Sequence, residues 1–572
     1  MELESQAITA RERTDDLGAG GTAFAKEEPP DDSAGARPSR VRAGGDADTH
    51  SIALFSNALG LYRFAVGLRA FLRDPISLED ARAIVQHGMQ NREAALLRKL
   101  EGAVFGNPRS PYLALFRNAG CTWEDAKEVV AKDGVEGALG RFLAAGIYVS
   151  FEELRGMTPA VRGSQTFFFR DSDFDNPLIV PHFESWSGGT RGRPTRIRVD
   201  LEHAAQVAPH WALWFAAHDW LDRPLVFWTP THSGVVGRHL LAAKFGRRFV
   251  KWFATVGMGT VKDRLISACV HGLARRAAGW PRPELVPLSE AHRVGEYLVD
   301  LVRRGHKPCI NTSPSEAIRV CLAMAARGIS LEHITFLLGA EPLTPARRAT
   351  IEASGAKAVP TYGFSEGSNV GSQCPRATIA DDVHVSLDAW AILPRARLLS
   401  EEETVDSLLL TGFRPACPKV LLNAEIGDYA VLETRRCECL FDEIGYHTHL
   451  HTIRSFEKLT GIGMTILGGD LFRVFEECVR PRFGGAVTDY QLIEEQDAAG
   501  LPRYNLLVSP DVGPLDESQL VATFLDELGA LRSHYRFMTN LWAEAGVVRV
   551  QRSRPVPTRR GKVLPFRTLG PR

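Results

Sequence analysis

A chain of 572 residues is too long for one ordinary domain and can bury a sizeable core. Its 68 Lys plus Arg balance 68 Asp plus Glu, which excludes a strong global field favouring nucleic acid or an anionic membrane and points to a small partner. Nine scattered cysteines, with no N-terminal apolar stretch of signal type and no membrane-length apolar run, give the expectation of reduced thiols in a soluble, cytoplasmic protein.

Residues 1–49 are rich in Ala, Gly, Asp, Glu, Arg and Pro and poor in aromatics, and are expected to form a disordered tail. From Ser51 apolar residues recur at helical spacing, and a helical region is expected to about Ala145, including SPYLALFRNAG. DGVEGALGRFLAAGIYVSFEEL then runs through Gly breaks into a short strand expected at GIYVSFEEL. A β-rich stretch follows, holding SWSGGTRGRPT from Ser185 to Thr195. Ser187, Gly188, Gly189, Thr190 and Gly192 there alternate small donors with glycines, so backbone N–H groups and hydroxyls can replace the water around a phosphate. The G-x-x-x-x-G-K-[ST] spacing is absent, and a polar surface turn is the plain alternative.

Between about Leu201 and Tyr362, helical patterns alternate with the apolar runs PLVFWT, CINTS, HITFLLGA and AKAVPTYG. That alternation predicts βαβ units and a mostly parallel sheet, whose ligand crevice lies at the carboxyl ends of the strands. THSG, NTSPS, GAEPL and YGFSEG fall at those ends. From Val383 to Leu432 the pattern turns to alternating strands, as in a smaller β-barrel-like subdomain. A compact α+β segment is expected after Arg454. The fold class is therefore α/β, with boundaries at 1–49, 50–453 and 454–572.

YGFSEG places an aromatic face, a hydroxyl and a carboxylate within one strand-end loop, the set that a base, a phosphate oxygen and Mg²⁺ require. Gly339, Ala340, Glu341 and Pro342 end another strand. Asp428, in AEIGDYAVL, can accept ribose hydroxyls or simply cap a turn. Lys562, in RRGKVLPF, has a solvated terminal charge as its plain reading.

In this order the segments resemble the adenylate-forming superfamily, and specifically its phenylacetate–coenzyme A ligase-like branch. The resemblance covers Ser51 to the C-terminus. It implies that Ser187, Gly188, Gly189, Thr190 and Gly192 hold the β- and γ-phosphates of ATP. Gly339, Ala340, Glu341 and Pro342 would border the adenine, Tyr362 of the Tyr362-Gly363 pair would stack on it, and Ser365 would touch the α-phosphate. Glu366 would hold Mg²⁺, Asp428 the ribose, and Arg454 ribose or phosphate just before a hinge at Ser455 to Glu457. Lys562 would be the mobile catalytic lysine, neutralising charge as a carboxylate oxygen attacks the α-phosphorus.

The chain departs from the family pattern in places. The phosphate loop ends Pro194-Thr195-Arg196 rather than Pro-Lys, which leaves cationic help to Arg191, Arg193 or Arg196. Ser365 replaces a threonine, and Phe456 and Glu457 replace the usual acidic hinge pair. The second half-reaction is thus the less directly supported one.

Cys374, His384, Cys437 and Cys439 make a Cys₃His set sufficient for tetrahedral Zn²⁺, although their spacing is not that of a finger; ordinary thiols and imidazole are the alternative. Related ligases, by the same resemblance, carry such residues in these places, which implies structural zinc. His447, His449 and His451 read as a solvated strand face. Core packing accounts for most of Trp211, Trp214, Trp220, Trp228 and Trp252. Phe227, Trp228 and His232 at one strand end motivate an aromatic or apolar acid. RRFVKWF and QRSRPVPTRR read as solvated faces rather than nucleic-acid patches.

The expected function is that of an ATP-dependent carboxylate ligase that forms an acyl-adenylate from a small carboxylic acid and passes the acyl group to coenzyme A. A carrier protein or an amine is the alternative acceptor, and a non-catalytic scaffold of the same fold is the alternative class. A homodimer is compatible with either.

Overall fold

The computed structural model describes residues 46–186, 196–229, 236–255, 261–400, 403–458, 465–496, 502–558 and 561–568. The first helix spans Asp46–Arg73, and residues 1–45, most of the expected tail, lie outside those described. Among the described residues, no helix is long and apolar enough to cross a membrane.

A 13-stranded sheet organises most of the chain. Its parallel half is built from Leu225–Trp228, Phe249–Ala254, Glu284–Leu285, Cys309–Thr312, Thr335–Leu338 and Lys357–Phe364. These are the apolar runs expected to be strands, and period-2 alternation explains their burial on both faces. Leu225, Phe227, Cys309, Leu337 and Val359 enter one core, with Trp211, Trp214, Leu240 and Trp252. Val226, Trp228, Ile310, Phe336, Leu338 and Ala358 enter the core on the other face, with Val294, Leu298 and Ile318. The five tryptophans expected in the core are all at most 5 % exposed.

Beyond Lys357–Phe364 the sheet continues antiparallel. Ser368–Ser372 and Val383–Val385 lead to Thr448–Lys458, followed outward by Ala424–Thr434, Glu403–Gly412 and Trp390–Ser400. After residue 464 a separate four-stranded sheet carries the C-terminal part. It contains Tyr490–Gln496, Pro502–Val508, Val548–Arg552 and Phe566–Thr568, and encloses its own core with Phe524, Leu528 and Tyr535.

One expected strand is corrected. GIYVSFEEL contributes only an isolated bridge from Val149 to Ala424, and Phe151–Leu154 is a helical turn. Ser150 accepts from the Glu153 N–H at 3.2 Å while the Glu153 carboxylate accepts from the Ser150 N–H at 2.9 Å, a capping box that starts a helix where the apolar pattern suggested a strand.

Candidate nucleotide site and Cys/His cluster

The carboxyl ends of the parallel strands bring three of the four expected loops together. Gly339 follows Leu338, with its N–H donating to the Thr312 carbonyl at 3.3 Å. A Cβ added at Gly339 would lie 3.3 Å from Thr361 Oγ1, so this loop passes directly beside the Tyr362 strand. Ala340 sits at φ 73°, an uncommon conformation for a non-glycine residue, and its carbonyl accepts from Lys562 Nζ. A lysine more than two hundred residues away thus reaches the turn expected to border adenine.

The N-terminus of helix Pro314–Ala325 completes this corner. NTSPSE carries a capping box, in which Ser313 Oγ accepts from the Glu316 N–H and the Glu316 carboxylate accepts from the Ser313 N–H at 2.9 Å. Thr312 Oγ1 also donates to Glu316 at 2.6 Å. Burial lifts the Glu316 carboxyl to about 7, against the lowering effect of these hydrogen bonds. A Cβ at Gly561 would lie 2.9 Å from Glu316 Oε1, so the turn preceding Lys562 rests on this carboxylate. Gly561 holds φ 85°, which favours glycine.

Tyr362 and Asp428 meet although they are far apart in sequence. Tyr362 OH donates to Asp428 Oδ2 at 3.1 Å, and Ser455 Oγ donates to Oδ1 at 2.6 Å. Asp428 lies opposite Ser455, and Tyr429 opposite Arg454, in one antiparallel pair. Arg454 donates to Asp381 Oδ2 at 2.6 Å. Asp381 also accepts from the Thr452 and Ile453 N–H groups at 2.9 and 3.0 Å, which fixes the bend before Arg454. Gly363 leaves no room for a side chain, since a Cβ there would stand 2.3 Å from the Ser368 carbonyl oxygen.

Glu366 is buried and accepts from Arg155 Nη2 at 2.7 Å; Arg155 also pairs with Asp171 at 3.5 Å. Ser365 lies in the turn between the two adjoining strands. Ser187, Gly188, Gly189, Thr190 and Gly192 lie outside the described residues, as does His232. The strands on either side of the stretch expected to hold phosphate, Phe183–Trp186 and Arg196–Val199, pair antiparallel with Trp186 opposite Arg196.

Phe227 and Trp228 have no exposed surface, and Trp228 Nε1 donates to the Val286 carbonyl at 3.2 Å. They belong to the two cores on either face of the sheet. Arg155, Asp381, Ser315 and Arg347 were not picked out from the sequence. Of these, only the helix start at Ser315 had a local signal, the Ser313-Pro314 pair with Glu316.

The four expected metal ligands converge. Cys374, His384, Cys437 and Cys439 place one ligand atom each within 4.8 Å of one another. Cys374 and Cys437 sulfurs are 4.0 Å apart, and His384 Nε2 stands 3.3 Å from Cys437 Sγ and 3.4 Å from Cys439 Sγ. Tetrahedral zinc with Zn–S of about 2.3 Å and Zn–N of about 2.0 Å requires edges of roughly 3.8 Å between sulfurs and roughly 3.5 Å between sulfur and nitrogen. The donor set fits. Glu438, at φ 52°, turns Cys437 and Cys439 toward the same side. His384 Nδ1 lies 2.6 Å from the Tyr446 carbonyl, so it carries the proton and leaves the Nε2 lone pair for a ligand.

The neighbouring histidines do not form a solvated face. His449 is fully buried, with Nδ1 2.9 Å from Asp382, and its ring lies 3.9 Å from that of His384. His447 and His451 meet Asp442 and Glu433. Nearby carboxylates, invisible in the local pattern, draw these rings inward.

No protein-family profile and no curated protein matches the chain. Among solved structures it is similar to a 2-hydroxyisobutyryl-CoA ligase in complex with 2-HIB-AMP and CoA, at 14 % identity over 86 % of this chain and 90 % of that one, with a TM-score of 0.42. It is also similar to the anthranilate CoA ligase AuaEII in complex with anthranoyl-AMP, at 14 % identity over 66 % of this chain and 65 % of that one, TM-score 0.36. ATP-bound MatB from Rhodopseudomonas palustris is similar at 13 % identity over 60 % and 61 % of the two chains, TM-score 0.36.

Proposed function

We propose that the protein is an AMP-forming acid–thiol ligase that converts an organic acid and Mg·ATP into an acyl-adenylate and pyrophosphate, then passes the acyl group to coenzyme A. The observation that carries this reading is the lodging of Lys562 against the Ala340 carbonyl, beside the strand that brings Tyr362 to Asp428. A terminal lysine with a solvated charge has no reason to be docked at a loop expected to border a nucleotide.

In this reading Tyr362 and the turn from Gly339 to Pro342 bind the adenine. Asp428 is preset by Tyr362 and Ser455 to accept ribose hydroxyls, and Arg454 is aimed by Asp381. Lys562 leaves the Ala340 carbonyl for the anionic oxygens at the α-phosphorus as the substrate carboxylate attacks and pyrophosphate departs. The nucleophile belongs to the substrate, so the protein contributes position and charge. Ser187, Gly188, Gly189, Thr190 and Gly192 are assigned to the β- and γ-phosphates on sequence alone. Glu366 would hold Mg²⁺, which offsets phosphate charge, with Arg155 sharing the carboxylate. With Phe227 and Trp228 in the cores, the aromatic or apolar character of the acid is left for experiment to define.

Cys374, His384, Cys437 and Cys439 are proposed to hold one structural zinc, tying the Ser368–Ser372 and Val383–Val385 strands to the turn after Ala424–Thr434. Three thiolates and one imidazole leave no open position, which suits a structural role rather than a catalytic one. Acid-dependent ATP–pyrophosphate exchange over a broad acid panel, followed by coenzyme A addition, tests the ligase reading. Exchange with at least one acid and thioester formation on adding coenzyme A are expected. Absence of exchange with every acid would favour a scaffold, and an adenylate that passes only to a carrier protein or an amine would move the acceptor.

A further inference from the structure

We infer that Arg347 is the positioning residue that docks the Lys562 loop for adenylation and lets it go for acyl transfer; this rests on the ligase reading above. Arg347 lies in the first turn of helix Pro345–Glu352, six residues after Glu341, and is 1 % exposed. Its guanidinium meets groups from both the large sheet region and the C-terminal part. Nη1 donates to Glu341 Oε2 at 2.7 Å, Nε to Glu476 Oε1 at 3.2 Å, and Nη2 to the carbonyl of Val563, next to Lys562, at 3.2 Å. The Phe472 ring lies 4.5 Å from the guanidinium carbon. Ser315 Oγ accepts from the Val563 N–H at 3.2 Å while donating to Glu341, so both backbone groups of Val563 are held by one network. Thr344 Oγ1 donates to Glu476 and accepts from the Arg347 N–H at 3.2 Å.

The charges give this junction its character. Arg347 compensates two buried carboxylates, one from each side, and burial already raises the Glu476 carboxyl. Without the guanidinium, the buried carboxylates of Glu341 and Glu476 would each lose their directly bonded cation, keeping only the hydroxyls of Ser315 and Thr344 as hydrogen-bonded side-chain donors, which disfavours docking. A turn of the C-terminal part away from this docking, as the ligase reading requires, would carry Glu476 off while Arg347 keeps its pairing with Glu341. One side chain thereby biases the position of Lys562 without touching the reacting atoms.

The test compares the wild type with Arg347→Ala, Arg347→Lys and Glu476→Gln. Hydrogen exchange is followed over residues 558–566 and over the strands Leu225–Trp228 and Thr335–Leu338. Pyrophosphate exchange is measured separately from thioester formation starting from supplied acyl-adenylate. Faster hydrogen exchange confined to 558–566 in Arg347→Ala is expected, with pyrophosphate exchange falling about 10- to 100-fold and the thioester step holding within about threefold. Arg347→Lys should recover part of the loss, and Glu476→Gln should repeat it at smaller size. Unchanged exchange at 558–566, or a parallel fall in both half-reactions, would overturn the assignment. A wild type that exchanges pyrophosphate with no acid would instead remove the ligase reading, while the hydrogen-exchange result still decides whether Arg347 docks the loop.

Discussion

The Lys562 junction and the Cys/His cluster lie in one molecule but are built on different principles. At the junction, long charged side chains join residues far apart in sequence, Lys562 reaching the Ala340 carbonyl and Arg347 reaching Glu476 and the Val563 carbonyl. In the cluster, four short side chains stand on adjoining strands and a tight turn, with His384 held from behind by the Tyr446 carbonyl. The first arrangement tolerates motion and the second resists it. Under the proposed ligase reading, in which one lysine serves one half-reaction and withdraws for the next, both are needed, a mobile contact set against a rigid frame.

The largest expected effect breaks the rigid side of this contrast. Purified protein should contain about one zinc per chain, and its removal by a chelator, or Cys437→Ser, should lower unfolding stability by at least about 2 kcal/mol. Metal content by elemental analysis and urea unfolding check this; less than a tenth of an equivalent of zinc would end the idea. Asp428→Asn comes next. It removes the charge and leaves one acceptor oxygen of the two that meet Tyr362 and Ser455, and should raise KM for ATP about 10- to 100-fold, equivalent to about 1.5–3 kcal/mol, with little change in stability. Steady-state kinetics against ATP would show it.

The smallest effect concerns Glu316, beneath Gly561. Its native carboxyl is raised to about 7 from an ordinary 4.5, so the folded state binds more protons than the unfolded state between those values. Stability from this group is present below about pH 4.5 and is lost as pH rises through about 7. Glu316→Gln should therefore gain on the order of 1–3 kcal/mol relative to wild type between pH 5 and pH 8, seen in paired urea titrations. A constant difference across that range would place the native carboxyl at its ordinary value.

Much of the frame was legible in the sequence because it depends on local rules. Strand runs such as LVFW and TFLL alternate between two cores, and the loops after them had to gather at one edge. The Cys374, His384, Cys437 and Cys439 set was legible as chemistry, and the fold supplied its convergence. Partners of charge were not legible. Arg155 on Glu366, Asp381 on Arg454 and Arg347 on Glu476 join residues tens to hundreds of positions apart, and no local pattern selects among the many arginines and carboxylates available. At FEEL the capping box of Ser150 and Glu153 overrides the apolar alternation and starts a helical turn in place of a strand.

The most direct measurement sets wild type and Lys562→Ala side by side in acid-dependent ATP–pyrophosphate exchange, with both proteins checked for equal unfolding stability. Wild type should exchange with at least one acid, and the variant should lose that exchange by about 100-fold or more while remaining folded. Equal exchange in the two proteins would contradict the role given to Lys562.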